Sequence, residues 1–242
     1  MAVTYYYSTM GGGKSTYALQ MHHSLTKKTH NVVLMKSAID TRDPGVIKSR
    51  IGIEQPCTLI TPDEDIFLFK RLPAYILVDE AQFLTKKNIL GLIKLADRYN
   101  IELIFFGLKT SYTGELFEGS ATILALADTI RELPFISADK EKAIMHVRYV
   151  DGKPVFNGDA VHVGGDETYD SVSRKEWFDL YEKSLLPKFK AGDFIKSSKS
   201  MCEILNLYES QGHWYYTIRF IGSNLTGRNT TDQIDPYYEL IS

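Results

Sequence analysis

The chain has 242 residues, is 44% hydrophobic and carries a formal net charge of −2, so it supports a sizeable core by itself and lacks the basic balance of a broad nucleic-acid surface. Its two cysteines, Cys57 and Cys202, lie far apart, which argues against a disulfide scaffold and a cysteine-built zinc site. No apolar run reaches membrane length and no basic n-region opens the chain, so the expectation is a soluble, cytoplasmic protein with no membrane partner.

An aromatic, apolar run over residues 3–7 ends in Ser8-Thr9-Met10-Gly11-Gly12-Gly13-Lys14-Ser15-Thr16 and passes into a helical pattern over 16–28. Strand, glycine loop and helix in this order make a phosphate cradle. Backbone N–H groups turn inward, the helix N-terminus adds partial positive charge, Lys14 adds a full one, and the Ser15 hydroxyl can hold Mg²⁺. The usual pattern is G-x-x-x-x-G-K-[ST], and Ser8 stands where its first glycine belongs. A glycine-rich turn before a surface lysine is the plainer alternative.

Residues 31–36 read as a strand, and strand-helix-strand begins a parallel α/β sheet. Residues 40–52 are polar and rich in turn residues, and read as a mobile loop. It is either a solvated linker, slightly the favoured reading, or a carrier of Arg42 or Arg50 to phosphates. Thr61-Pro62 has the form of a helix start. Residues 75–78 form a buried strand that delivers Asp79 and Glu80 at its C-terminal end, where ligands of open α/β sheets sit. Asp79 there suits metal support and Glu80 a general base. A helix over 88–100, a strand over 101–107, a loop over 108–117 with exposed-looking aromatics, a helix over 121–127 and a strand over 128–133 follow. Beyond 143, short strands (143–150, 153–157, 160–163) separated by Asp-Gly and Asn-Gly turns read as hairpins. A helix over 173–185 closes the region. From 188 the strands at 194–196, 202–208 and 214–220 suggest a small all-β module, with Trp214-Tyr215-Tyr216 read as core packing.

Several motifs occur together in order: Gly13-Lys14-Ser15-Thr16, Ser49-Arg50-Ile51-Gly52, Asp79-Glu80-Ala81-Gln82-Phe83, Gly107-Leu108-Lys109-Thr110 and Gly164-Gly165-Asp166-Glu167-Thr168-Tyr169. This set resembles the thymidine kinases of the cytosolic, bacterial, poxviral and phage type, over about residues 3–177. The resemblance implies a P-loop, RecA-like parallel sheet flanked by helices (1–134, ATP-binding). A small β-hairpin or lasso lid over the nucleoside (135–187) and the all-β C-terminal module (188–242) complete the expected organisation. It implies ATP, Mg²⁺ and thymidine as ligands, with deoxyuridine as a second substrate, a homotetramer, and dTTP as feedback inhibitor.

By the same resemblance Glu80 is the base for the 5′-hydroxyl. Ser8 to Thr16, Arg50, Asp79 and Gln82 serve ATP, with Ser15 and Asp79 at the metal, and Arg148 is a weaker phosphate candidate. Met10, Phe83, Leu108, Tyr112, Phe117, Val161, Val163, Gly164 and Tyr169 enclose the base. The chain departs from the family in lacking the zinc cysteines near 135–139 and at Ser173, so no structural zinc is expected. Ser8 raises the expectation of a loosened phosphate loop, and Ser111-Tyr112 stands where Asp-Phe is frequent. A nucleotide-binding regulator and a P-loop ATPase acting on nucleic acid remain as alternatives.

Overall fold

In a computed structural model the apolar runs become a parallel sheet with helices on both faces. The structure describes residues 2–28, 31–65, 67–138, 140–158, 168–211, 213–223 and 225–241, apart from the side chain of residue 232. The chain divides into two compact units, Met1–Tyr181 and Glu182–Ser242.

In the first unit, strand β1 (Val3–Tyr7) leads through the glycine loop into helix α1 (Lys14–Lys27) and strand β2 (Val32–Ser37). Strands β3 (Val46–Lys48) and β4 (Glu54–Pro56) pair antiparallel. Then come β5 (Thr58–Ile60), β6 (Tyr75–Asp79), helix α2 (Lys86–Tyr99), β7 (Glu102–Gly107), helix α3 (Glu118–Leu126) and β8 (Thr129–Glu132). The six-stranded sheet has the order β5-β2-β6-β7-β1-β8, and each of its pairings is parallel. The loops after β1, β6 and β7 therefore leave the same edge, where an open α/β sheet binds its ligands.

Successive side chains of a strand face opposite ways, and both faces here are apolar. Tyr5, Met35, Val78 and Phe105 pack with Ile89 and Leu92 of α2. Tyr6, Leu34, Leu77 and Phe106 pack with Ala18 and Leu19 of α1. Each such aliphatic or Phe side chain, fully buried, contributes about 1.5–3 kcal/mol. Helix α2 starts at a reciprocal Thr85–Asn88 capping box and stops at Asn100, whose φ is 55°.

Three expectations change. Residues 40–52 are not all loop, because Val46–Lys48 forms half of a hairpin and Ile47 is buried against the α1 side of the sheet; a strand of 3 residues is too short to show alternation. Residues 61–64 make one turn and no helix. The Glu64 N–H closes the turn on the Thr61 carbonyl at 3.1 Å, and the Asn88 side-chain amide donates to the carbonyls of Thr61 and Glu64 at 2.9 and 2.5 Å, so a side chain satisfies oxygens that a continuing helix would have paired with its own N–H groups. Tyr112 and Phe117 are buried, not exposed.

Strands β9 (Met145–Val150), β10 (Lys153–Val155) and β11 (Tyr169–Val172) form a second sheet in the order β10-β9-β11, and helix α4 (Arg174–Ser184) follows. Asp151 and Gly152 have φ of 51° and 73°, the left-handed pair a tight hairpin requires. Trp177 stacks on Tyr181 and meets the edge of Phe156. The strand expected at 160–163 lies outside the described residues.

The second unit is an antiparallel sheet of β12 (Phe194–Lys196), β13 (Met201–Ser210), β14 (His213–Phe220), β15 (Thr226–Thr230) and β16 (Glu239–Leu240), with one helical turn, α5 (Thr231–Ile234). Its order is β15-β14-β13-β12-β16. Ile195, Ile204, Tyr216 and Ile218 form its core. The Tyr216 hydroxyl donates to Asp235 at 2.7 Å and accepts the Phe189 N–H at 3.0 Å. Tyr215 stacks on Tyr208, with the Arg228 guanidinium over both rings.

Candidate active site

The loop between β1 and α1 is bent by Gly11 and Gly13, whose φ values are 80° and 75°. Ser8 does not loosen it. Its backbone N–H bonds Gly107 at 3.3 Å and its hydroxyl donates to the Leu133 carbonyl at 2.6 Å. A Cβ on Gly12 would lie 1.8 Å from that hydroxyl. The serine thus anchors the base of the loop to the segment after β8, and Gly12 leaves the room it needs.

The same loop is clasped at Met10. Its N–H donates to His146 Nε2 on β9 at 3.0 Å, and its carbonyl accepts from Ser171 Oγ on β11 at 2.8 Å. Lys14 Nζ donates to the Thr9 carbonyl at 2.7 Å. Burial lowers the Lys14 pKa, while the carboxylates of Glu80 and Asp79 oppose that shift.

At the end of β6, Asp79 is buried and its Oδ1 has no hydrogen-bond partner. Burial, together with the neighbouring Glu80 charge, pushes its carboxyl well above the ordinary range, and a hydrogen bond from Ser15 partly offsets this. Glu80 occupies the left-handed region at φ 52°, ψ 36°, where a non-glycine residue is strained and often functional. Arg42 donates to its Oε1 at 2.8 Å and Gln82 Nε2 to its Oε2 at 2.6 Å. The other end of the Gln82 amide accepts the Leu108 N–H at 3.0 Å. Both ends of Gln82 are therefore engaged away from the phosphate loop, and its placement suits orienting Glu80 better than binding ATP. Arg42 also pairs with Asp40, which in turn pairs with the buried Lys36. Burial works against the Arg42 charge, but the carboxylates of Asp40 and Glu80 outweigh it and raise its pKa.

A cavity of about 610 Å³ runs past these groups. One part is lined by Gly11, Gly13, Lys14, Ser15, Thr16 and Arg50. The other is lined by Met10, Phe83, Leu108, Tyr112, Phe117 and Tyr169, with Asp79, Glu80 and Gln82 also on the wall. Phe83 and Phe117 meet edge to face at 5.8 Å, as do Tyr112 and Tyr169 at 6.1 Å. The Tyr112 hydroxyl donates to the Asn157 carbonyl, and Trp177 Nε1 to the Tyr112 carbonyl, both at 3.1 Å. Such a wall suits a flat, largely apolar ring.

Of the expected residues, Ser8, Thr9 and Gly12 are not on the cavity wall. Val161, Val163 and Gly164 lie outside the described residues. Arg148 lies over the Tyr112 ring at 5.6 Å, also off the wall. Sequence reading passed over Lys36, Asp40, His146 and Ser171, and it inclined against Arg42. The one available signal was Asp40-Thr41-Arg42, an acid and a base two residues apart directly after a strand.

A parallel sheet with a glycine loop opening a helix, and acids at the end of a central strand, defines a P-loop nucleotide-binding protein with room for a second, flat ligand. The family model for thymidine kinase matches residues 1–177. The chain is 42% identical over 185 residues to the thymidine kinases of Streptococcus pyogenes serotype M3 and Streptococcus agalactiae serotype Ia, covering 74% of this chain and 98% of each relative. The chain belongs to the thymidine kinase family.

Proposed function

We propose that this chain transfers the γ-phosphate of ATP to the 5′-hydroxyl of thymidine, giving thymidine monophosphate and ADP, with deoxyuridine as a second substrate. The observation that carries this reading is the single cavity shared by Lys14, Ser15, Glu80 and the aromatic wall of Phe83, Tyr112, Phe117 and Tyr169. It gives a phosphate donor and a flat acceptor one common space with a carboxylate on its wall.

Glu80 accepts the hydroxyl proton as the new O–P bond forms and the bond to ADP breaks. Arg42 and Gln82 fix the orientation of its carboxylate. Lys14, Arg50 and the amides of the loop from Gly11 to Thr16 balance the phosphate charge. The unpartnered Asp79 Oδ1 beside the Ser15 hydroxyl is an oxygen donor set of the kind Mg²⁺ takes. Ser15 and Asp79 would hold the ion, partly through water, and it would neutralise charge on the β- and γ-phosphates. Met10, Leu108 and the aromatic wall hold the thymine ring, and Val161, Val163 and Gly164 belong to the segment assigned to cover it. By the same family reading the chain forms a homotetramer and is inhibited by dTTP.

ADP formation measured with thymidine, with DNA and with neither tests the function. ADP release that depends on thymidine is expected. Release stimulated by DNA alone, or independent of both, would overturn it.

A further inference from the structure

Tyr112 sits in the loop after β7, and that loop is tightly closed on itself. Thr110 and Leu116 bridge across its base. The Ser111 N–H donates to the Glu115 carbonyl at 2.8 Å, and the Gly114 N–H to the Ser111 carbonyl at 3.2 Å. Gly114 makes the turn with φ 86°, a conformation that favours glycine. The backbone at position 112 is therefore held by its own loop.

Contacts from the second sheet and from α4 converge on this residue. Its hydroxyl donates to the carbonyl of Asn157, just beyond β10, at 3.1 Å. The Tyr169 ring, at the start of β11, meets its ring edge to face at 6.1 Å. The Arg148 guanidinium of β9 lies 5.6 Å from the same ring, within cation–π reach. Trp177 Nε1 of α4 donates to its carbonyl at 3.1 Å. The fit around the hydroxyl is close. A Cβ on Gly158 would lie 2.9 Å from it, so the glycine after Asn157 leaves the hydroxyl its room. The side chain is buried, and a buried hydroxyl costs stability unless it is bonded; the Asn157 carbonyl meets that need.

Asn157 and Tyr169 flank the stretch of chain that contains Val161, Val163 and Gly164, the residues assigned to cover the thymine ring. Both flanks rest on Tyr112, which also lines the base half of the cavity. We propose that Tyr112 is a positioning residue as well as part of the aromatic wall: its hydroxyl fixes Asn157 and its ring fixes Tyr169, so both flanks of the covering stretch are set against the pocket before the nucleoside arrives. The ordering cost of bringing those flanks together is met on folding and is not drawn from the nucleoside's binding energy. The identity of the ligand rests on the thymidine reading; the anchor itself does not.

Phenylalanine keeps the wall and removes only the anchor, so Tyr112→Phe in the full chain tests the hydroxyl by itself. KM for thymidine is expected to rise about five- to tenfold, with KM for ATP and kcat little changed. An unchanged KM for thymidine overturns the proposal, because the hydroxyl then does nothing for the nucleoside. Equal rises for the two substrates also overturn it, because a general loosening of the fold would produce them. Crystal structures of the wild-type full chain, with and without thymidine, give a reading that needs no variant. Tyr112 Oη is expected within hydrogen-bond reach of the Asn157 carbonyl in both. A hydroxyl turned elsewhere, or an Asn157 that docks only when thymidine is added, overturns the proposal. Wild-type protein that forms no ADP with thymidine would show that the function reading has failed; the nucleoside-free structure then still decides the anchor, as it does if Tyr112→Phe does not fold.

Discussion

Arg42 reaches across from the segment after β2 and donates to Glu80 Oε1 at 2.8 Å, with Arg42 about 38% exposed and Glu80 about 16%. A pair this open to solvent adds little stability. Its consequence is geometric, since the guanidinium and the Gln82 amide each hold one oxygen of the same carboxylate. Arg42→Lys keeps the charge but loses the planar fork. Turnover is expected to fall about tenfold or more while the melting temperature moves little. A variant that turns over normally would show that the contact does not serve catalysis.

Glu80→Gln keeps the shape and removes the proton acceptor. Both substrates are expected to bind in calorimetry, with turnover reduced by about 10²- to 10⁴-fold. Turnover near that of the wild type would remove Glu80 as the base.

How much of this was readable in the sequence depended on the reach of each contact. The strands at β1, β6 and β7 announce themselves, because a strand buried on both faces is a continuous apolar run. Asp79 and Glu80 could be placed at a strand end on that ground alone. Arg42 could not, since its partner is 38 residues away and a polar turn-rich segment looks the same whether solvated or docked. His146 and Ser171 are still less legible. Their partner Met10 lies 136 and 161 residues earlier, and both bond its main chain, which leaves no trace in side-chain pattern. Ser8 was visible as a departure, but its meaning needed the Leu133 carbonyl.

Lys14 reaches the cavity from the first residue of α1 and holds the Thr9 carbonyl. Lys14→Ala is expected to weaken ATP binding by far more than thymidine binding, because the lost charge sits beside the glycine loop proposed to hold the phosphates. Equal losses for the two ligands in calorimetry would argue against that division of the site.

His146 makes stability depend on pH. Burial, helped by the Lys14 charge and opposed by the Thr110 main chain, lowers its pKa from 6.5 to about 3. Between those values the unfolded chain binds a proton that the folded chain refuses, so stability falls as pH drops through that window. The slope approaches about 1.4 kcal/mol per pH unit. His146→Asn removes this contribution, so the melting-temperature advantage of the wild type over the variant at pH 7 is expected to shrink steadily on acidification. An advantage that stays constant down to pH ~4.5 would mean that the folded protein carries a charged imidazole.

Ser8 and Gly12 share one space and are expected to be coupled. Gly12→Ala puts a methyl 1.8 Å from Ser8 Oγ and 2.7 Å from its Cβ, so the serine must leave the Leu133 carbonyl or the loop must shift. The single substitution is expected to destabilise the fold by about 1–3 kcal/mol and to weaken ATP binding with it. Ser8→Gly alone loses the bond to Leu133, a loss of about 1 kcal/mol. In the double variant the two shortest contacts are gone and the next is the Thr9 carbonyl, at 3.2 Å, a contact that a small shift relieves. The double variant is therefore expected to be more stable than Gly12→Ala alone, a favourable coupling that thermal or denaturant unfolding of the four proteins measures directly. Strict additivity of the two substitutions would mean that Ser8 does not occupy the space against Gly12, and that its hydroxyl is not what anchors the loop.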